Sequence, residues 1–271
     1  PMGFWSPAVL VNDARRHGVV VLPPDVNRSE AACTLESNAL RLGLAQVHGI
    51  GTEHAGRVIT ARTDQAFTSL EDLCYRLLLP KRLIEHLIRA GACDGWHIPR
   101  RQLLWTLGRL RYPARELDLR GPDDAVTLPA LSRTEALTES YHMLGLSTGD
   151  HPLALLREEL TARGVRSSLE LADIPAGERV QTAGLLVMHQ APPTARGVHF
   201  LTLEDEWGLL NIIVNPAVYE TQRKTIRAAG ILLVEGEVQR KGVVVNVVMQ
   251  QARLVSSKES SAHDSDGARW F

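Results

Sequence analysis

The apolar residues change their spacing at Glu178, and that change constrains the fold more than any other feature of the chain. Upstream, apolar side chains recur three and four residues apart, as on helices buried on one face. Downstream, short apolar runs alternate with polar residues and are separated by turn residues, at 180–188, 198–203, 209–214, 231–238 and 243–254. Alternation of this kind marks strands with one buried face. The segment 216–229, opened by Pro216, reads as a helix between the third and fourth strands. Five short strands with a single helix at that place predict a small Greek-key barrel, the layout of the OB fold.

The upstream part reads as short helices joined by tight turns. Val9, Leu10 and Ala14 fall at helical spacing, and Gly18 suits the end of that helix. Pro23-Pro24 forces an extended turn, and Leu35 and Leu40 flank Ser37-Asn38 as in a small hairpin. Helices are expected at 53–62, at 70–77 behind a Thr68-Ser69 cap, from Pro80 to Ala90 before Gly91, at 100–110, at 133–144, and from His151-Pro152 to about Gly164. Residues 112–134, rich in Pro, Gly and Asp, read as an irregular connector, and the Ser/Asp-rich 256–271 as a mobile tail. The fold class is therefore α+β and multidomain. A helical domain (43–111), the connector (112–134) and a helical lead-in (135–177) precede the barrel (178–255).

Composition limits the function. The 271 residues suit about two domains, and a 44% apolar, 23% charged chain can build cores. A net charge of −1 excludes a general polycation, so any nucleic-acid site must be a local basic patch. Cys33, Cys74 and Cys93 are far apart and odd in number. They suit neither a disulfide framework nor a zinc site, which favours a reducing, cytoplasmic setting. No apolar run is long enough to cross a bilayer. A chain that starts at Pro1 reads as cut from a larger protein.

The sharpest local signal is Val47-His48-Gly49-Ile50-Gly51-Thr52-Glu53-His54-Ala55. An apolar-Gly-apolar-Gly turn between two short helices lets the backbone approach a ligand closely. The amides after Gly49 and Gly51 stand at a helix N-terminus, which favours a phosphate. The candidate contacts here are Gly49, Ile50, Gly51, Thr52 and Arg62. A plain αα-turn needing glycine for packing also fits; Ala55, Val58, Ile59 and Arg62 in matching register favour the DNA reading.

On the barrel the candidates are Arg196 and His199 on the first hairpin, Phe200, Trp207 near the second turn, and Arg240 with Lys241 between the last strands. Phe200 and Trp207 suit base stacking, though a strand aromatic is as often core. Arg240-Lys241-Gly242 also suits a solvated turn. The basic helix with Arg100, Arg101, Arg109, Arg111 and Arg115 is more simply a solvated face.

Two-metal catalysis needs acidic residues held together. The adjacent pair Asp123-Asp124 lies in the connector with no strand to present it, and the histidines show no ligand spacing. No P-loop or nucleophilic triad is present. No active site and no cofactor are expected within this chain.

Several stretches together resemble a known family. Pro1-Met2-Gly3-Phe4-Trp5-Ser6-Pro7, Asp13-Ala14-Arg15-Arg16-His17-Gly18-Val19 and Pro24-Asp25-Val26-Asn27-Arg28-Ser29 look like the end of the fingers region (1–42) of bacterial C-family, DnaE-type DNA polymerases. Leu40-Arg41-Leu42-Gly43-Leu44 running into Gly49-Ile50-Gly51 is similar to the helix–hairpin–helix entry of those enzymes. Gly145-Leu146-Ser147, His151-Pro152-Leu153 and Phe200–Gly208 resemble their approach to the OB domain and its hairpin. The connector 126–131 and the short C-terminus are similar to the error-prone branch.

The resemblance implies a parent that adds nucleotides to a primer with Mg²⁺, in damage-induced translesion synthesis and DNA replication. It also implies primer–template duplex and single-stranded DNA as partners, and a sliding clamp and accessory translesion proteins as further ones. Residues 127–131 lack the Gln and terminal aromatic of a clamp-binding peptide. Because the family's palm is missing, the fragment itself is expected to bind DNA without catalysing. Two alternatives remain: a protein-interaction scaffold with no appreciable DNA affinity, and a small nuclease using Asp123 and Asp124.

Overall fold

The computed structural model describes residues 5–110, 128–242 and 244–255. Contacts divide the chain into two compact units, residues 17–149 and residues 1–16 with 150–271. The helix α1 (Pro7–Arg16) groups with the barrel.

The helical unit opens with a three-stranded sheet of β1 (Val20–Leu22), β2 (Thr34–Glu36) and β3 (Ala39–Arg41) in the order β1-β3-β2. Ser37, at φ 56°, makes the expected β2–β3 turn. Next come α2 (Gly51–Arg62), α3 (Leu70–Leu77), α4 (Lys81–Arg89), α5 (Arg100–Arg109) and α6 (Arg133–Leu144). Local chemistry explains most boundaries. The Ser69 hydroxyl accepts from the Asp72 amide to start α3, Pro80 precedes α4, and Ser132 with Glu135 forms a capping box on α6. Leu70, Leu73, Cys74 and Leu77 of α3, Ile84, Leu87 and Ile88 of α4, and Leu103 and Leu107 of α5 are all buried.

One expected helix is absent. The first arm of the hairpin is a single 3-10 turn, Leu44–Gln46. The amides of Leu44 and Ala45 are taken by the carbonyls of Glu30 and Ala31. Gly43 runs so close to that segment that a Cβ there would lie 2.4 Å from Ala31 O. Backbone pairing with residues 30 and 31 anchors the start of this arm, and extended backbone at Val47 (φ −70°, ψ 128°) ends it after one turn.

In the second unit, α7 (Pro152–Ala162), β4 (Val165–Arg166) and α8 (Ser168–Leu171) lead to β5 (Arg179–Gln190), β6 (His199–Glu204), β7 (Leu209–Val214), α9 (Pro216–Ala228), β8 (Ile231–Lys241) and β9 (Val244–Leu254). The sheet order is β4-β5-β6-β7-β9-β8, and β5 pairs again with β8, so five strands close into a barrel. Closure removes the free edges that an open sheet would expose. Leu201, Leu203, Leu210, Ile212, Val214, Leu232, Val234, Val238, Val247 and Met249 fill it, with Tyr219 and Ile226 of α9 packed in the same cluster. At the register shift in β8, a Cβ on Gly236 would stand 2.3 Å from Val248 O. The α+β class and the OB-type barrel with its helix between the third and fourth barrel strands are as the sequence predicts.

Candidate nucleic-acid interface

In the helical unit the site is the turn from Val47 to Gly51. Gly49 and Gly51 have φ of +78° and +58°, which L side chains rarely adopt, so glycine is favoured at both. Ile50 is buried as the turn's anchor, whereas His48, Gly49, Gly51 and Thr52 are exposed. The turn is pinned from two sides. The amide of His48 donates to Met143 O of α6 (2.7 Å), and Nδ1 of His86 on α4 lies 2.7 Å from His48 O. The first amides of a helix have no partner within it, and no side chain caps Ile50 at the start of α2. A rigid glycine turn therefore presents a helix N-terminus to solvent, with Glu53 as the one acid in its first turn.

Arg62 is not part of this turn. At 1.5 Å per residue it lies roughly 16 Å along α2 from Gly51. Its guanidinium is committed to Val26 O (3.0 Å) and Glu30 (3.0 Å). The residue braces the loop before β2.

The barrel candidates fall into two groups. Antiparallel pairing of β6 with β7 sets His199 opposite Val214 and Glu204 opposite Leu209. Arg196, in the loop before β6, and His199 therefore sit at one end of the strand. Trp207, in the β6–β7 turn, sits at the other, roughly 17 Å away for a six-residue strand. Arg196 is exposed with φ +50°. His199 stacks on Tyr219 at 3.4 Å between ring centres, and its Nδ1 faces Nε2 of His189 at 2.9 Å. Burial, then His199 and Arg227, hold the His189 pKa below the usual imidazole value.

Phe200 is 38% and Trp207 55% exposed. Phe200 shares the barrel's outer face with its partner Ile213, which is opposite Val248, and the next row is Thr202, Asn211 and Asn246. Arg240 donates to the carbonyls of Ile174 (2.9 Å) and Leu171 (3.4 Å) and also to that of Ala172, which ties β8 to the end of α8. Lys241 is exposed. Arg100 is likewise engaged, with Asp94 and Arg89 O, and Arg101 with Glu135. Arg111, Arg115, Asp123 and Asp124 lie outside the described residues, as do part of the connector and the tail.

The acids of the β6–β7 turn are structural. Glu204 has no exposed surface; it accepts from Asn12 (3.0 Å) and Arg16 (2.9 Å) of α1. Burial still raises its pKa, with Arg16 and Asn12 pulling the other way. Asp205 accepts from the amide and hydroxyl of Ser168 (2.6 Å each) and from the amides of Trp207 and Gly208 (2.9 Å each). Glu206 pairs with Arg157. Nearby His151 caps α7 through Nδ1, and burial depresses its pKa to about 4. Among the described residues no three His, Cys, Asp or Glu side chains are placed to hold a metal ion.

Two exposed features escaped the sequence reading. Trp105 on α5 is 44% exposed, one turn from both Arg101 and Arg109. Its i, i+4 spacing from two arginines was the available signal. Asn211 and Asn246 accompany Phe200 on the outer barrel face, which strand alternation alone makes visible.

No helix among the described residues is long and apolar enough to cross a membrane. Residues 18–103 match the family model for a helix-hairpin-helix motif. The chain is 39% identical to the error-prone DNA polymerase of Aromatoleum aromaticum across 97% of this chain and 26% of that protein. It is 41% identical to that of Alkalilimnicola ehrlichii across 92% of this chain and 25% of the relative. The Pseudomonas aeruginosa enzyme is 40% identical over the same shares, 92% and 25%. The chain spans about a quarter of the length of these relatives. Nearly all of it, helical unit and barrel alike, thus matches a C-terminal fragment of the error-prone DNA polymerases, and it belongs with that family.

Proposed function

We propose that the chain is the DNA-handling part of an error-prone DNA-directed DNA polymerase acting in translesion synthesis and replication. The observation that carries this is the Gly49–Gly51 turn, whose two left-handed glycines and uncapped α2 N-terminus are held rigidly at the surface. A turn of this build grips a phosphate by charge and backbone shape and is indifferent to base sequence. The helical unit takes the primer–template duplex. The barrel takes the single strand, with Phe200 and Trp207 as stacking platforms and Arg196, His199 and Lys241 near the backbone. Nucleotide transfer and its Mg²⁺ are assigned to the rest of such an enzyme, of which this chain spans about a quarter. A sliding clamp and accessory translesion proteins are the partners this setting calls for.

Titrating the chain with primer–template and with single-stranded DNA across a salt series tests the reading. Affinity should fall as salt rises, with a slope corresponding to roughly three to six phosphates. Absence of binding at low salt would refute it. That result would favour a protein-interaction role instead, for which exposed Leu169, Trp207 and Leu209 beside the Asp205–Ser168 contact are the specific support.

A further inference from the structure

In the helical unit, the arginines and lysines near the Gly49–Gly51 turn are almost all spent on the protein itself. Arg57 donates to Leu77 O, Arg62 to Val26 O and Glu30, and Arg76 to Asp72, Ala61 O and Gln65 O. Lys81 donates to Gly108 O, and Arg89 pairs with Glu85 and Glu139. Arg28 and Arg41 pair with Glu36, Arg100 with Asp94 and Arg101 with Glu135. Arg109 and Arg133 also have partners. Among the described residues of this unit, Arg82 is the one arginine or lysine with no hydrogen bond, ion pair or ring contact, and it is exposed.

Its position gives that freedom a meaning. Arg82 precedes Leu83 and stands one helical turn before His86 on α4. Those two residues form the wall of the turn. A Cβ on Gly49 would lie 3.3 Å from His86 Nδ1 and 3.4 Å from Leu83 Cδ2, and His86 Nδ1 meets His48 O at 2.7 Å. Side chains four apart on a helix have Cβ atoms roughly 5–6 Å from each other. A helical Cβ also tilts toward the N-terminus, so the Arg82 stem leaves α4 on the N-terminal side of His86, next to the Leu83 and His86 wall. The acids nearby do not capture it: Glu85 is held by Arg89, and Glu53 is exposed in the first turn of α2.

We infer that Arg82 supplies the guanidinium that clamps the DNA phosphate seated on the Gly49–Gly51 turn, while Arg62 has no part in the contact. The α2 N-terminus contributes backbone amides, and α4 contributes the charge, in a planar fork suited to phosphate oxygens. The inference rests on the duplex-binding reading of the hairpin, and its test separates the two.

Binding of a fluorescent primer–template duplex by the whole chain is measured across a salt series for wild type, Arg82→Ala, Arg82→Lys and Arg62→Ala, each confirmed folded by circular dichroism. Loss of one phosphate contact lowers the salt slope by about one unit. Arg82→Ala should show that drop and bind several-fold to tenfold more weakly at low salt. Arg82→Lys should recover the slope with part of the affinity. Folded Arg62→Ala should keep the wild-type slope. If wild type binds duplex and Arg82→Ala keeps both its affinity and its slope, the role of Arg82 is overturned and the hairpin reading stands. If wild type does not bind duplex, both fall.

Discussion

Removing Arg16 should expose the cost of a carboxylate placed inside the barrel unit. Glu204 has no solvent-accessible surface and holds two donors, the Arg16 guanidinium at 2.9 Å and the Asn12 amide at 3.0 Å. Arg16→Ala leaves a buried charge with one neutral partner, and breaking such a pair costs about 3–5 kcal/mol. The charge has a way out, because Glu204 can take up a proton, and burial already moves its pKa in that direction. In the variant the folded-state pKa rises further while the unfolded value stays ordinary. The folded state then binds a proton the unfolded state does not, so stability falls as pH rises through that window, by about 1.4 kcal/mol per pH unit.

Urea denaturation at pH 5, 6.5 and 8 reads this directly. Arg16→Ala should lose little at pH 5 and about 3–5 kcal/mol at pH 8. Glu204→Gln in the same background should restore most of the loss. A penalty below about 1 kcal/mol that does not change with pH would refute the argument, because it would place Glu204 in contact with water.

Three further outcomes are expected. Burial holds His151 neutral with a folded pKa of about 4, against an ordinary 6.5. The barrel unit should therefore lose about 3 kcal/mol as pH falls from 6.5 to 4, and His151→Asn, which keeps a helix cap, should flatten that profile in pH-resolved thermal melts. Arg240→Ala should cost about 1–3 kcal/mol by freeing the carbonyls at the end of α8, and should leave the salt slope of DNA binding unchanged. At Gly51, φ is +58° and no atom lies within 4 Å of an added Cβ. Gly51→Ala should cost about 1–2 kcal/mol by chemical denaturation while the unit still folds, and weaken duplex binding measurably.

What the sequence makes legible is whatever depends on neighbours along the chain. Strand alternation locates all five barrel strands, and Ser69, Pro80 and Pro216 announce their helices by local chemistry. The Gly-Ile-Gly turn is equally plain because glycine is the residue that positive φ favours. Failures arise where a side chain or a backbone group finds a distant partner. The arm before Gly49 is a single 3-10 turn whose first amides pair with carbonyls at Glu30 and Ala31. Arg62, in good register for DNA, turns to Val26 and Glu30. Glu204, Asp205 and Glu206 form one acidic run, yet their partners stand 192, 37 and 49 residues away, at Asn12, Ser168 and Arg157. Arg82 has no local pattern at all; it becomes visible only once every neighbouring cation has been given an internal partner.

The grouping of α1 with the barrel has a kinetic meaning. Residues 17–149 form a compact unit by themselves, so that unit can begin to fold once it has left the ribosome. Helix α1 is made before its partner strand and must wait, since Arg16 meets Glu204 across 188 residues. At 5–20 residues per second that delay is roughly 10–40 s. During it the apolar face of Val9 and Val11 is uncovered, so in synthesis the earliest helix of the chain is among the last to find its place.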